Sequence, residues 1–421
     1  MQNENSILKR LYLFLLGIGP GIFAIGYTIG TGSVTSMIVA GSSFGMQLLW
    51  VLALSCLFSW VLMEAYGRYY LVTGETALYS FRKHLKLGNI IGLLIIAGIT
   101  FGQWNSLIGI LGISSNAIFE TLVLFFPDLA GQSYLGILII AVTIIGLFYT
   151  LLLKGSYSLF ENILIIFVSL MGISFLLSFF VVLPPVDAVA KGMIPSIPQV
   201  EGGRMLVAAF VGTTMAAATF LSRPLFIQGK NWTIENLKDQ RKDALWAAIL
   251  IFMISGAIMA VAMGAFFAEG KVVTKVLDMV STLEPIAGRF AIVIFFLGTL
   301  AAGLSSIFPI LMIAPILIAD YQKGELDLKS TQFKVLTGIA CLIGLTVPVL
   351  GVNPIKAQIL TQVFNVFVLP LVIIGIMILI NKKELMGEHK AGIGLNIGMA
   401  SALIFACIIS YNGIVAILDN F

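Results

Sequence analysis

What most constrains this chain is its supply of long apolar runs. A bilayer's hydrocarbon core asks for about 20 apolar residues per helix. By that ruler the sequence holds eleven spans, over residues 11–42, 46–72, 88–115, 132–153, 158–183, 203–228, 243–268, 286–319, 333–351, 356–380 and 392–418. Connections are short, and no soluble domain or low-complexity tract interrupts them. Of the 421 residues, 59% are hydrophobic and only 10% charged, against about 25% charged in a soluble domain. A chain so poor in charge cannot cover itself in water. It reads as an all-α integral membrane protein, with residues 1–421 forming one transmembrane domain.

Lysine and arginine set the orientation. With the N-terminus in the cytoplasm, all but Lys191, Arg204, Lys271, Lys275, Arg289 and Lys356 of the 24 basic residues fall on the inner side. The formal net charge of +4 is thus a topology signal, and no nucleic-acid partner is expected. With an odd number of spans, the C-terminus is expected outside the cytoplasmic membrane. The first run follows Lys9 and Arg10, but no small-residue cleavage site closes it, so it reads as a retained span. Cys56, Cys341 and Cys407 each lie in an apolar run and read as small buried hydrophobes. His84 and His389 sit in basic loop segments. No zinc spacing, disulfide framework or nucleophile–base set is visible, so an enzyme is not expected.

The first span contains GYTIGTGSVTS, residues 26–36, with glycines and hydroxyls where a spanning helix should be most regular. An unpaired backbone group in hydrocarbon costs several kcal/mol, so a helix breaks there only where it lines a cavity or is buried in protein. Gly30 and Gly32 suit an open backbone, and Ser33 could cap a second half-helix. Close helix packing on small residues fits the same letters. The sixth span, AAFVGTTMAAATFLSRPLF, has a similar centre with Thr213, Thr214 and Thr219. Interrupted segments at corresponding places in two halves point to a transporter site. They predict inverted repeats over about 11–183 and 203–380, with an extra helix at 392–418.

GPGIFAIGYTIGTGSVTSMIVAGSSFGMQLLWVL resembles, without gaps, the first-span pattern of the natural resistance-associated macrophage protein (Nramp) family of metal transporters. GRYYLVTGET, LKGSYSLFENI, KGMIPSIP, LAAGLSS, ILTQVFNVFVLPLVI and KKELMGE resemble its later segments. The resemblance implies a LeuT-type fold of 11 transmembrane helices, with helices 1 and 6 broken at the midplane and transport by alternating access. It also implies departures. Where metal-carrying members have Asp-Pro-Gly-Asn at the first break, this chain has Gly30, Thr31, Gly32 and Ser33. Where they have Met-Pro-His at the second, it has Ala216, Ala217 and Ala218. The third span's acidic residues are replaced by Gln103 and Ser106.

A partly dehydrated divalent ion needs compensating ligands, and this set offers hydroxyls and backbone only. The substrate site is expected at Gly30, Thr31, Gly32, Ser33, Ala216, Ala217, Ala218, Thr219 and Arg223, with Gln103, Asn105, Gln362 and Asn365 as further candidate lining. Arg223 reads either as a positive group in an anion's inner vestibule, as a helix-end snorkel, or as the partner of the buried Glu64. Glu64 also lies four residues before Arg68, a helical pair spacing. Ser305 and Ser306 read as packing serines or, on the LeuT-type resemblance, as sodium ligands. The favoured reading is a small-anion transporter, for bicarbonate or a similar ion, with Na⁺ as coupling ion. The alternative is a divalent cation, Mg²⁺ or a weakly held metal, carried hydrated. No cofactor and no obligate protein partner are expected beyond the ion and the lipid bilayer.

Overall fold

The computed structural model describes residues 19–196, 198, 203–267, 270, 284–350 and 354–420. The start of the first span, with Lys9 and Arg10, and the loop residues Lys271 and Lys275 lie outside that set. Among the described residues, ten helices are long and apolar enough to cross a membrane, and a bent pair makes an eleventh. That pair is α1 (Gly21–Thr28) and α2 (Thr31–Phe44), which meet at 55°. The second span is α3 (Leu49–Thr73), ended by Gly74 in the left-handed region at φ 68°. The short helix α4 (Ala77–His84) leads to α5 (Gly88–Phe125), α6 (Ser133–Leu153) and α7 (Tyr157–Val182). After α8 (Val186–Gly192) the sixth span runs as α9 (Gly203–Thr214) and α10 (Ala217–Gly229). Next come α11 (Leu237–Phe266), α12 (Glu284–Lys323), α13 (Thr331–Gly344) and α14 (Thr346–Leu350). The tenth span is α15 (Pro354–Val366) and α16 (Leu369–Asn381), and after α17 (Lys383–Met386) the chain ends in α18 (Ile393–Asn420).

Two spans form the centre. In their most apolar windows the sixth span is 94% buried and α12 is 89% buried, while α6 is 28% and α18 33%. The peripheral helices carry the lipid-facing side chains, such as Ile139, Leu147, Ile166 and Ile404. Cys56 and Cys341 are buried as expected, whereas Cys407 is exposed.

The observed spans depart from the expected ones where polar residues or proline mislead a hydropathy ruler. The third was expected to end near residue 115, at the polar run Ser114–Ser115–Asn116. The helix continues to Phe125, because Ser114 and Ser115 are buried in protein and Ser115 Oγ donates back to Leu111 O at 2.7 Å. The tenth is divided at Phe367 and Val368, with Pro370 in the first turn of α16, where its missing N–H costs nothing.

Three buried side-chain contacts hold the half of the molecule in which α1 begins. Asp320, on α12, accepts from Leu78 N at 3.1 Å and Tyr79 N at 3.2 Å, and so caps α4, to which Thr76 contributes no side-chain cap. Gln240 Nε2 donates to Met63 O at 3.1 Å and Glu64 O at 3.2 Å, stitching α11 to α3. Asp243 is the third. Its Oδ1 accepts from Gly21 N at 3.1 Å, at the start of α1, and its Oδ2 accepts from Arg223 Nη2 at 2.6 Å. The same nitrogen of Arg223 donates to Gln240 O at 3.2 Å.

The expected Arg223–Glu64 partnership is therefore corrected. Glu64 Oε1 accepts from Arg68 Nη2 at 2.6 Å and Nε at 3.1 Å, the helical pairing that their spacing also allowed. The seventh span was expected to begin at Asp243, but the charge run LKDQRKD is itself helical and α11 starts at Leu237. Arg223 and Asp243 are 2% and 3% exposed. Removing one member of such a buried pair strands the other and costs about 3–5 kcal/mol. Arg223→Gln is thus expected to lower the melting temperature in detergent. Adding Asp243→Asn should restore part of it, and adding Glu64→Gln should restore none. Recovery with Glu64→Gln instead would refute the pairing.

Candidate functional site at the midplane break

At the first break the chain passes through Ile29 (φ −92°, ψ 62°) and an extended Gly30 (φ −93°, ψ −176°). Gly30 thus adopts a backbone open to any residue, and its requirement for glycine is one of room. A Cβ there would collide with Ser306 Oγ and Cβ. One at Gly32 would collide with the amide nitrogens of Gln358 and Gln362. Gly30 itself stands at the cap position of α2, with no side-chain cap bond. Ser33, the expected cap, lies inside the first turn, and its Oγ has no partner among the described residues. At the second break Ala216 is extended (φ −63°, ψ 118°) and again gives no side-chain cap to the helix it precedes.

The carbonyl ends of the broken helices differ from the amide ends. Gly26 O, at the end of α1, accepts from Ser306 Oγ at 2.7 Å and Ser305 Oγ at 3.4 Å. Ser306 Oγ also reaches Tyr27 O at 3.5 Å. Thr214 O, at the end of α9, accepts from Ser59 Oγ at 2.8 Å. Hydroxyls thus satisfy carbonyls on one side of each break. On the other side, α2 and α10 begin without a side-chain cap and carry the positive end of the helix dipole, although Thr219 N already donates to Ala216 O at 3.0 Å.

These breaks border a small cavity. It is lined by Tyr27, Thr28, Gly30, Gly32 and Ser33 of the first span, Gln103, Ser106 and Ile110 of the third, and Thr213 and Ala216 of the sixth. Ser306 and Ile310 of the eighth and Gln362 and Asn365 of the tenth complete it. Its free volume is about 20 Å³, room for roughly one water-sized particle. A chain of amides spans one wall. Gln103 Nε2 donates to Asn365 Oδ1 at 2.8 Å, and Asn365 Nδ2 donates to Gln362 Oε1 at 2.9 Å. Gln362 and Gln358 then both donate to Ser106 Oγ, at 2.8 and 3.0 Å. Ser106 keeps its own proton to donate. Tyr27 Oη, Ser33 Oγ and Thr213 Oγ1 have no partner among the described residues. No carboxylate, imidazole or thiol lines the cavity, and no group of three such residues able to hold a metal exists among the described residues.

Of the expected site residues, the fold brings Gly30, Gly32, Ser33, Ala216, Gln103, Gln362 and Asn365 to one cavity, beside Ser306. Ser305 stands on the same carbonyl without lining it. Thr31, Ala217, Ala218 and Thr219 are buried behind the breaks, outside the lining. Asn105 is turned away. It lies about 200° around the helix from Gln103, and its Nδ2 donates to Phe101 O at 2.7 Å within its own helix. Arg223 is withdrawn into its pair with Asp243 and contributes no net charge to a vestibule. Tyr27, Thr28, Ile110, Thr213 and Ile310 line the cavity without having been in the expected set, as does Ser106, noted only as a replaced acidic position. The helical steps of three and seven from Gln103 are the signal that finds Ser106 and Ile110, and a step of four from Gln362 finds Gln358, which bonds to Ser106 behind the lining.

A family model described as "Natural resistance-associated macrophage protein-like" matches residues 21–416. Among relatives, the "Divalent metal cation transporter MntH" of Vibrio campbellii is 26% identical over 400 residues, covering 93% of this chain and 91% of its own. That of Acidiphilium cryptum is 25% identical over 388 residues, covering 89% and 84%. A solved structure of the Eremococcus coleocola manganese transporter superposes with a TM-score of 0.70 at 16% identity, covering 99% of this chain and 88% of that one. MhsT in complex with L-phenylalanine superposes with a TM-score of 0.60 at 16% identity, over 96% and 98% of the two chains. The fold is therefore shared with transporters of the LeuT type, and members of the matched family are transporters rather than enzymes. The chain belongs to the Nramp family.

Proposed function

We propose that the chain moves a small inorganic ion across the cytoplasmic membrane by alternating access, binding it at the midplane cavity. The cavity's chemistry favours a small oxyanion such as bicarbonate. One observation carries this reading: the cavity has no carboxylate and is bordered by the start of α2 at Gly30, Gly32 and Ser33 and by Ala216 ahead of α10, neither helix having a side-chain cap, while hydroxyls reach carbonyls at the ends of α1 and α9. Amide N–H groups and the free hydroxyls of Ser33 and Thr213 can donate to anionic oxygens without a fixed counter-charge. Arg223 no longer supports it, since Asp243 neutralises that charge.

The relatives' names favour the second reading, a divalent metal cation. Kinship is its support, and the residues at the breaks are its difficulty. A dehydrated 2+ ion would meet hydroxyls and amides with no acidic ligand. A hydrated one, with about six waters, needs the cavity to open well beyond the roughly one water-sized particle it now admits, as bicarbonate does too. For coupling, Ser305, Ser306, Gly26 O and Tyr27 O form a cluster of hard oxygens of the kind that suits Na⁺. The surplus of basic residues on one side supports an inner N-terminus, and an odd number of spans an outer C-terminus.

The deciding experiment is uptake into proteoliposomes of radiolabelled bicarbonate, Mn²⁺ and Mg²⁺, each with and without an inward sodium gradient. Saturable, sodium-stimulated bicarbonate uptake is expected. Metal uptake without bicarbonate uptake would establish the second reading. Ser305→Ala combined with Ser306→Ala is expected to abolish sodium stimulation while the protein stays folded; an unchanged sodium dependence would remove the cluster from the mechanism. Gly30→Asp is expected to stop transport without conferring Mn²⁺ binding by calorimetry, since Ser306 occupies the space a side chain would need. Micromolar Mn²⁺ binding by the unaltered chain would sink the anion reading.

A further inference from the structure

A second cavity, of about 410 Å³, lies apart from the midplane site and shares no lining residue with it. Trp60, Val61, Glu64 and Arg68 of α3 form one wall, Arg241 of α11 a second, and Gly392, Gly394 and Leu395 at the start of α18 the third. It therefore sits on the basic, cytoplasmic side, between the transport core and the extra helix.

Its polar groups are incompletely used. Glu64 is 6% exposed, and its Oε1 takes both bonds from Arg68. Its Oε2 has no partner among the described residues, and neither does Trp60 Nε1. A buried carboxylate oxygen without a donor is costly, and a ligand carrying a donor removes that cost. Arg68 and Arg241 add two positive charges beside it, so the walls ask for an anionic oxygen group and a hydrogen-bond donor in one molecule. The frame is stiff, since Gln240 Nε2 holds the Met63 and Glu64 carbonyls.

The surroundings name the source. Ile393, between the two lining glycines, is 82% exposed, and Ile397 and Leu57, one turn away along their helices, are 61% and 47% exposed. The crevice thus opens onto lipid-facing surface. A Cβ at Gly392 or Gly394 would meet nothing within 4 Å, so the missing side chains leave open space there. We propose that this cavity binds the phosphoethanolamine headgroup of a bilayer lipid, with the phosphate at Arg241 and Arg68 and the ammonium at Glu64. The lipid's apolar chains would lie along Leu57 and Ile397.

The test uses the full chain, purified in detergent and examined by native mass spectrometry with added lipid. Phosphatidylethanolamine and phosphatidylcholine share the phosphate and the positive charge, but only the first has N–H donors. One charge-assisted bond corresponds to roughly tenfold in affinity, so retention of phosphatidylethanolamine should exceed that of phosphatidylcholine by about that factor. Arg241→Gln, at an exposed position, should weaken retention of phosphatidylethanolamine. Gly394→Leu should abolish it by filling the crevice. Both variants should keep the melting temperature of the lipid-free protein. Equal retention of the two lipids, or retention unchanged in both variants, would overturn the proposal. So would binding of soluble glycerophosphoethanolamine without binding of the lipid.

Discussion

A helix that breaks inside hydrocarbon must find new partners for the peptide groups it frees, and this structure is organised around that requirement. At the first break Ser305 and Ser306 reach across from the eighth span to carbonyls of α1. At the second, Ser59 reaches from α3 to Thr214 O. The repair thus comes from neighbouring spans, which ties the broken helices to the most buried part of the molecule. The helix α1 is only eight residues long, too short to hold itself, and Asp243 fixes its first amide.

The repair is one-sided, and that asymmetry gives the midplane its character. Serine hydroxyls reach the Gly26 and Thr214 carbonyls, while no side chain caps the start of α2 or α10. Around them the amides of Gln103, Gln362 and Asn365 form a closed relay that ends on Ser106. Such a wall is polar and has no net charge. It can orient an ion through dipoles, but it cannot offset two full charges as a carboxylate would. Family membership and site chemistry thus pull toward different cargoes. The same backbone frame can serve both, because selectivity lies in the side chains grafted at its breaks.

Much of this was legible in the letters, for identifiable reasons. Hydropathy gives the spans because lipid leaves a chain few ways to cross. Gly30 and Gly32 mark the first break because small residues are needed where other side chains crowd in. Misreadings arose where partners are distant in sequence. Asp243 stood only as the first residue of the seventh span, yet it meets Arg223 twenty residues away and Gly21 more than two hundred away. Glu64 looked like a plausible partner for Arg223, yet its own helix supplies Arg68 one turn on. Asn105 was grouped with Gln103 by proximity in the chain, which a helix of 3.6 residues per turn separates onto opposite faces.

The sequence by itself determined that the chain crosses a membrane many times, that glycines and hydroxyls crowd the middle of its first span, and that no acidic or sulfur side chain stands there. Composition and local residue type suffice for each of these. Only the tertiary structure decided which oxygens and amides at the breaks are already spoken for and which charge neutralises Arg223. It also decided that Ser306 fills the space a side chain at position 30 would need. Those outcomes depend on contacts between spans far apart in the chain, and no local pattern of residues encodes such distances.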